Sequence, residues 1–181
     1  MPTYAVYTQT GEEDHVAHLI SKTIRATHPD MGSSIYVPKK PFYRHLTAER
    51  AAAKGNPLEL VYRPLYPGYL FLETDSAQDI YRTMRGWRYE TWYHLIGKTG
   101  CDFLPMDEEE LRWAERLGKP PSTAVIREGK LVIVSGSLMG AEDAVIKVKA
   151  SRNNVCMDAV FKGEHRQVWV AMNIVEEKEA C

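Results

Sequence analysis

The sequence lacks the features that mark several large classes of protein. It has three cysteines in 181 residues, an odd number without a CxxC pair. This argues against a disulfide framework or a zinc site and is typical of reduced thiols inside cells. No apolar run approaches the length of a membrane span, and the first residues lack the basic start and apolar segment of a signal peptide. We therefore expect a cytoplasmic protein that does not enter membranes.

The chain also lacks a recognisable catalytic motif. None of the signatures GxGxxG, GxxxxGK[ST] or GxSxG occurs, and "GEHRQ" lacks the spacing of HExxH. His15 and His18 lie three residues apart in a helical pattern but have no evident third metal ligand. His94 and Cys101 have no accompanying motif for an oxyanion hole. We expect no enzyme, no cofactor and no metal; an enzyme that uses Cys101 or a histidine is the remote alternative.

A net charge of −1 means that any attraction to nucleic acid must come from a local patch. One basic patch lies in the Pro-punctuated segment 38–66. Its charged residues are Lys39, Lys40, Arg44, Arg50, Lys54 and Arg63 against Glu49 and Glu59. Phe42, Tyr43 and Tyr62 lie among them, a mixture that is used to bind nucleic acid or an acidic partner. The alternative is an exposed hairpin with no ligand.

Hydrophobic periodicity predicts two regions of different character. In the first, strands alternate with helices, and an extended hairpin with a mobile tip is inserted at 38–66. The segment "GKPPSTAVIREG" has the composition of a linker. After it, short strands at spacings of roughly ten residues predict a small barrel. We expect domains at 1–118 and 125–176, a linker at 119–124 and a tail at 177–181.

Three motifs of this sequence resemble motifs of the NusG family of transcription elongation factors. "YAVYTQTGEE" is similar to its opening strand and TGxE motif, "RPLYPGYLFLETD" resembles its signature "PLFPGYLFV", and "VIVSGSLMGAEDAVIKV" resembles a KOW motif. Their order and the intervening linker match too, so the resemblance covers nearly the whole chain. It implies an α+β fold. An N-terminal NGN-type α/β sandwich, an antiparallel sheet flanked by helices, would be joined by the linker to a small SH3-like KOW β-barrel.

Two departures from the family pattern indicate a specialised member. Tyr4-Ala5 stands where the family has Trp-Tyr, and Asp143 replaces the second KOW glycine. The signature, a compact acidic third helix and "VIVSGSLMGAED" are similar to the LoaP subfamily. Its members are processive antiterminators that recognise an RNA hairpin in the leader of a long operon. The alternative is a general NusG elongation factor whose KOW domain binds Rho or a ribosomal protein.

The resemblance implies that the N-terminal domain binds the clamp helices of the largest subunit of RNA polymerase. The matching positions are Leu65, Tyr66, Pro67 and Tyr69. Because Pro64 and Pro67 fix the backbone, we expect this corner to hold Leu65 and Tyr66 outward at a low cost in entropy.

Basic residues are expected to bind nascent RNA or nearby non-template DNA, and the protein is expected to be a monomer. Arg82 and Arg85 follow one another near the end of a predicted helix, where favourable charge against the helix dipole is the alternative explanation. The predicted nucleic-acid-binding residues are Lys39, Lys40, Arg44, Arg82, Arg85, Lys147, Lys149, Arg152 and Arg166.

Overall fold

The computed structural model describes residues 1–30, 32–85, 93–95 and 103–176. Cys101 and the side chains of Arg85 and His94 lie outside the described part. The helices are α1 (Glu13–Thr27), α2 (Ala48–Lys54), α3 (Ala77–Arg85) and α4 (Glu108–Gly118). The strands are β1 (Thr3–Thr8), β2 (Ser34–Tyr36), β3 (Lys39–His45), β4 (Leu58–Pro64), β5 (Tyr69–Glu73), β6 (Tyr93–Leu95), β7 (Ser122–Arg127), β8 (Lys130–Ser135), β9 (Val145–Lys149), β10 (Asn154–Phe161) and β11 (Glu164–Glu176). The expected mixture of sheets and helices is confirmed.

The chain divides into two compact units that do not follow the order of the sequence. Unit 1 consists of Met1–Pro38 and Tyr66–Glu108, and unit 2 consists of Lys39–Leu65 and Glu109–Cys181. The basic hairpin and α4 therefore belong with the C-terminal strands, whereas the sequence placed them in the first of two domains.

Unit 1 is an antiparallel sheet with two helices on one face. The strand order is β2-β5-β1-β6. Leu70 and Leu72 of β5 pack with Ile20 of α1 and Ile80 of α3 in the buried core. Each of these side chains contributes about 1.5–3 kcal/mol by leaving water. Helix α1 forms because its apolar residues recur at helical spacing, so that they line one side.

Unit 2 contains the antiparallel hairpin β3–β4, with α2 at its tip, and a five-stranded sheet in the order β8-β7-β11-β10-β9. The long strand β11 pairs antiparallel with β10 and parallel with β7. Helix α4 is attached by Arg116, whose Nε donates to the Ser137 carbonyl at 2.8 Å. The buried Glu110 carboxylate accepts the Gly163 N–H at 3.0 Å.

Three details of unit 2 differ from the expectations. Strand β7 begins at Ser122, inside the expected linker at 119–124, because its residues pair with both β8 and β11. The hairpin tip contains the helix α2. Ile146 and Val148 are each 41% exposed, although their alternation with lysines is typical of a strand with a buried face.

Within the described residues, no helix is long and apolar enough to cross a membrane. In the same part of the chain, no three His, Cys, Asp or Glu side chains come together as metal ligands would.

Candidate functional site

The turn before β5 requires a glycine. The Tyr69 N–H donates to the Tyr66 carbonyl at 3.0 Å. Gly68 has a φ of +81°, the left-handed conformation that a β-turn of this kind needs at its third residue. A Cβ at Gly68 would lie 3.0 Å from both the Thr8 carbonyl oxygen and the Tyr7 ring. Another residue therefore fits only if β1 moves.

The side chains of this corner do not point as the sequence led us to expect. Leu65 is 1% exposed and Tyr66 is 4% exposed, so the expectation that both point outward is wrong. The Tyr66 ring stacks on Phe71 with centroids 6.4 Å apart, because a large ring gains free energy by leaving water for another ring. Pro67 is exposed and Tyr69 is half-buried. These two side chains form the accessible part of the corner.

One buried carboxylate connects the TGxE motif with the turn. Glu13 is 4% exposed and accepts the Gly68 N–H at 2.7 Å and the Gly11 N–H at 2.8 Å. The Gly68 carbonyl in turn accepts the Thr8 N–H at 2.8 Å. These bonds satisfy backbone groups that burial would otherwise leave unpaired. The sequence shows Glu13 only as the last residue of the TGxE motif, because Gly68 is 55 residues away.

Aromatic side chains collect on the face of the unit 1 sheet that lies opposite α1 and α3. The residues of β1 and β5 that alternate with the core residues lie on this face. Tyr7 and Tyr69 are directly opposite, with ring centroids 5.1 Å apart. Tyr36, 39% exposed on the edge strand β2, is opposite Phe71 at 5.9 Å between centroids. We call Tyr7, Tyr36, Tyr69 and Phe71 the aromatic face.

Glu73 fixes the outer edge of the aromatic face. It accepts the Ser34 hydroxyl at 2.9 Å and the Tyr36 hydroxyl at 3.1 Å. Burial and then the nearby carboxylate raise the pKa of Tyr36 to about 12, so the hydroxyl stays neutral and donating at physiological pH. The sequence prediction missed Tyr7 and Tyr36, although alternation along β1 indicates Tyr7.

In unit 2, a side-chain amide attaches the hairpin to the five-stranded sheet. The Tyr43 N–H donates to Asn154 Oδ1 at 3.0 Å, and Asn154 Nδ2 donates to the Tyr43 carbonyl at 2.8 Å. The Tyr43 hydroxyl donates to Asn173 Oδ1 at 2.7 Å. The buried Asn154 amide thus makes the pair of bonds that a neighbouring strand would make.

Basic side chains from the hairpin and β9 gather around one buried thiol. Lys147, Cys156 and Trp169 are directly opposite one another on β9, β10 and β11, so they share a face. Lys149, two residues along β9, lies on that face as well. Lys40 of β3 interacts electrostatically with the Cys156 thiol. The structure therefore unites three lysines that the sequence predicted separately.

Among the described residues, no carboxylate compensates the charge of these lysines. Burial, followed by the neighbouring Arg63, lowers the pKa of Lys40 to about 8. Burial raises the pKa of the Cys156 thiol. In the described part of the chain, no carboxylate forms an ion pair with Lys40, Arg63, Lys147 or Lys149. Uncompensated cations of this kind favour an anionic ligand.

Two of the cations lie over aromatic rings. Arg63 Cζ is 4.5 Å from the centre of the Phe42 ring, and Lys149 Nζ is 4.5 Å from that of Trp169. We call Lys40, Phe42, Arg63, Lys147, Lys149 and Trp169 the basic cluster. The sequence analysis included Arg63 in the basic patch but not among the predicted nucleic-acid-binding residues, and it omitted Trp169, because cross-strand register is not visible in the sequence.

Two of the predicted arginines are bound to carboxylates. Arg44 Nε donates to Glu59 at 2.8 Å, and Lys54 pairs with the same carboxylate. These two partners, first Lys54 and then Arg44, lower the pKa of Glu59 to about 2. Arg166 pairs with Glu164 at 2.8 Å. The charge of both arginines is therefore partly neutralised.

The remaining predicted basic residues lie in both units. Lys39 and Arg152 are exposed in unit 2. Arg82 lies in unit 1 on α3, 3.4 Å from Asp79. Arg85 ends the same helix, and its side chain lies outside the described residues. The basic cluster of unit 2 thus contains neither Arg82 nor Arg85.

A family model described as "Transcription termination factor nusG" matches residues 3–114. The chain belongs to the NusG family. This is a family of transcription factors, and the matched residues include the TGxE motif, the PGY turn and the whole aromatic face.

A solved structure of another protein resembles this NusG-family chain in fold. The structure "Domain interaction in Thermotoga maritima NusG" superposes with a TM-score of 0.54 at 20% identity, covering 95% of this chain and 93% of that chain. "Crystal Structure of MjSpt4:Spt5 complex conformation B" gives a TM-score of 0.37 at 19% identity, covering 93% and 91%. Curated proteins give no significant match.

Proposed function

We propose that this NusG-family protein is a specialised transcription factor that binds RNA polymerase and promotes processive antitermination. The observation that carries the proposal is the aromatic face of unit 1. Tyr36 and Tyr69 leave ring surface accessible on the side of the sheet away from the core, and Pro67 is exposed in the turn before Tyr69. Partly exposed, rigidly held rings are the side chains that dominate protein interfaces.

In this proposal the aromatic face contacts the clamp helices of the polymerase. The burial of Leu65 and Tyr66 changes the expected contact residues. Leu65 and Tyr66 act by supporting the corner, whereas Pro67, Tyr69 and Tyr36 make the contact. The basic cluster of unit 2 then binds nucleic acid, and a nascent RNA hairpin recruits the factor, as in the LoaP subfamily. In the same proposal the five-stranded sheet is the KOW domain.

Polymerase binding tests the proposal most directly. Full-length protein carrying Tyr69→Ala or Tyr36→Ala should bind immobilised polymerase at least about tenfold more weakly. Removal of an aromatic side chain from the centre of an interface typically lowers affinity by about tenfold or more. The control is Tyr62→Ala, which removes a tyrosine that is 53% exposed in unit 2. Equal affinity of all variants, each folded by circular dichroism, would exclude the aromatic face as the contact.

A second candidate function is supported by exposed apolar side chains in unit 2. Ile146 and Val148 of β9 are each 41% exposed, and Met139, between β8 and β9, is 61% exposed, which suits a surface that binds protein. This favours the general elongation factor, whose KOW domain binds Rho or a ribosomal protein. A termination assay with and without a leader RNA separates the two candidates, because only the specialised factor depends on the leader.

A further inference from the structure

We propose that the basic cluster is a composite binding site for an unpaired nucleic-acid strand, built jointly by the hairpin and the C-terminal sheet. This inference rests on the nucleic-acid binding in the proposed function and specifies its ligand. It differs from recognition of the paired stem of an RNA hairpin, whose bases are not available for stacking.

The two halves of the site come from segments far apart in the chain. Lys40 and Arg63 are directly opposite on β3 and β4, so both side chains lie on one face of the hairpin. Lys147 and Lys149 lie on the face of the sheet that carries Cys156. The two bonds between the Asn154 amide and the Tyr43 backbone hold β3 beside this face. Lys40 of β3 interacts there with both Arg63 and the Cys156 thiol.

The charges suit a chain of phosphates. The basic cluster contains four cations, and no carboxylate among the described residues forms an ion pair with any of them. The acid near Cys156 is Asp158, and it bonds His165 Nδ1 at 2.9 Å. Spaced cations on adjacent strands match a repeating polyanion better than a single small anion.

The flat surfaces of the aromatic rings and of the Arg63 guanidinium favour an unpaired strand as the ligand. Arg63 is exposed and lies over Phe42, so its guanidinium presents a second flat surface to solvent. Trp169 is half-buried with the flexible, exposed Lys149 over its ring. Bases stack on aromatic rings and on guanidinium planes only when they are free of a duplex. A paired helix would reach the lysines but leave these surfaces unused.

The test measures binding of the full-length protein to a fluorescent 12-nucleotide oligouridylate and to an RNA duplex of equal length. We expect the single strand to bind more tightly. Lys147→Gln/Lys149→Gln should weaken that binding and reduce the slope of log affinity against log salt by about 0.7 for each lost phosphate contact. The matched control is Lys22→Gln/Arg25→Gln, which removes two exposed cations from α1 and should leave affinity and slope unchanged.

Stacking of bases on Trp169 and Arg63 is tested by separate variants. Trp169→Ala and Arg63→Gln should each lower affinity for the single strand by about tenfold, and Trp169→Phe should restore most of the loss. Trp169→Phe should also reduce the quenching of tryptophan fluorescence that binding produces. Arg63 is exposed, so its variant remains informative if Trp169→Ala fails to fold.

The outcomes separate this inference from the proposed function. Tighter binding to the duplex, or unchanged binding by Arg63→Gln and the double lysine variant, overturns the inference. Binding of neither nucleic acid overturns it as well, yet polymerase binding would stand if it persists. Specific binding to the single strand by a protein without effect on polymerase upholds the inference and removes the proposed function.

Discussion

At the scale of single residues, Glu13 explains why two separated motifs occur together. Its carboxylate accepts N–H groups from Gly11 in its own motif and from Gly68 in the PGY turn. A bond between a charged acceptor and buried donors is stronger than a neutral one. The TGxE and PGY motifs are therefore two halves of one hydrogen-bonded corner that supports the aromatic face.

Replacing Glu13 should destabilise the fold more than its position at a helix start suggests. Glu13→Ala leaves the buried Gly68 N–H without its acceptor, which should cost about 1–3 kcal/mol in the free energy of unfolding. Urea denaturation measures this change. Glu12→Ala removes the neighbouring exposed acid and should change stability by less than about 0.5 kcal/mol. Similar values for both variants would show that the carboxylate does not support the turn.

The partly buried charge of Lys40 lowers the stability of the folded protein. Its pKa is lowered to about 8 because burial and Arg63 disfavour the charged form, whereas an unfolded lysine keeps its proton to about pH 10.5. Between these values the unfolded state binds more protons, so the contribution of Lys40 to stability rises with pH. Near pH 7 both states carry the proton, and the full cost of the buried charge is present.

Lys40→Met should therefore raise the free energy of unfolding at pH 7 by about 1 kcal/mol, and this advantage should shrink at pH 9. Urea denaturation of both proteins at the two pH values gives the difference. Lys22→Met, at an exposed position of α1, is the control and should show little change at either pH. A Lys40→Met protein that is less stable at pH 7 would contradict the proposed cost.

At the scale of elements, the Asn154 amide determines where the hairpin lies within unit 2. It bonds both the N–H and the carbonyl of Tyr43, on the edge of β3 that β4 does not use. Without these bonds the edge of β3 would present open backbone groups to other chains. The hairpin is thereby held where Lys40 meets the lysines of β9.

Removing the amide should loosen the hairpin. Asn154→Ala leaves two backbone groups of Tyr43 without partners, so we expect a loss of about 1–3 kcal/mol and faster hydrogen exchange at the Tyr43 amide. Tyr43→Phe removes only the bond to Asn173 and should cost less, about 0.5–1.5 kcal/mol. Unchanged exchange in Asn154→Ala would mean that the hairpin stays in place by other contacts. The same variant should also weaken binding of the single strand, because it separates the two halves of the site.

The sequence predicted most elements but not the contacts between them. Helices α1 and α4 and the strands β1, β5, β8 and β10 follow from periodicity, because each buries its own side chains along a regular stripe. Strand β7 was missed because Pro120 and Pro121 directly before it, with Ser122 at its start, have the composition of a linker. Pairing with β8 and β11 determines its structure. Local composition does not reveal pairing partners.

The candidate site was predicted in part for the same reason. Lys147 and Lys149 could be recognised from alternation along one strand, whereas Trp169 joins them through cross-strand register. The prediction that the Tyr66 side chain points outward rested on the neighbouring Pro64 and Pro67 alone. The Tyr66 ring instead stacks on Phe71, five residues further along the chain. Packing against another ring outweighs the outward direction that the prolines of the corner favour.

At the scale of the whole molecule, the two candidate surfaces lie in different units. The aromatic face belongs to unit 1 and the basic cluster to unit 2. The family match covers residues 3–114 and so includes the hairpin half of the basic cluster but not its C-terminal half.

Separate surfaces predict separable losses of function. Tyr69→Ala should abolish readthrough of a terminator by lowering polymerase affinity about tenfold or more, while it binds the single strand normally. Lys147→Gln/Lys149→Gln should bind polymerase normally and lose readthrough only where a leader RNA is required, more severely at high salt. Transcription with purified polymerase, with and without the leader, measures both effects beside the two binding assays. If either variant loses both binding activities while remaining folded, the surfaces are coupled, and the proposed division of labour between the units is wrong. If the losses separate, polymerase attachment and RNA recruitment are independent steps, because each depends on side chains held by its own sheet.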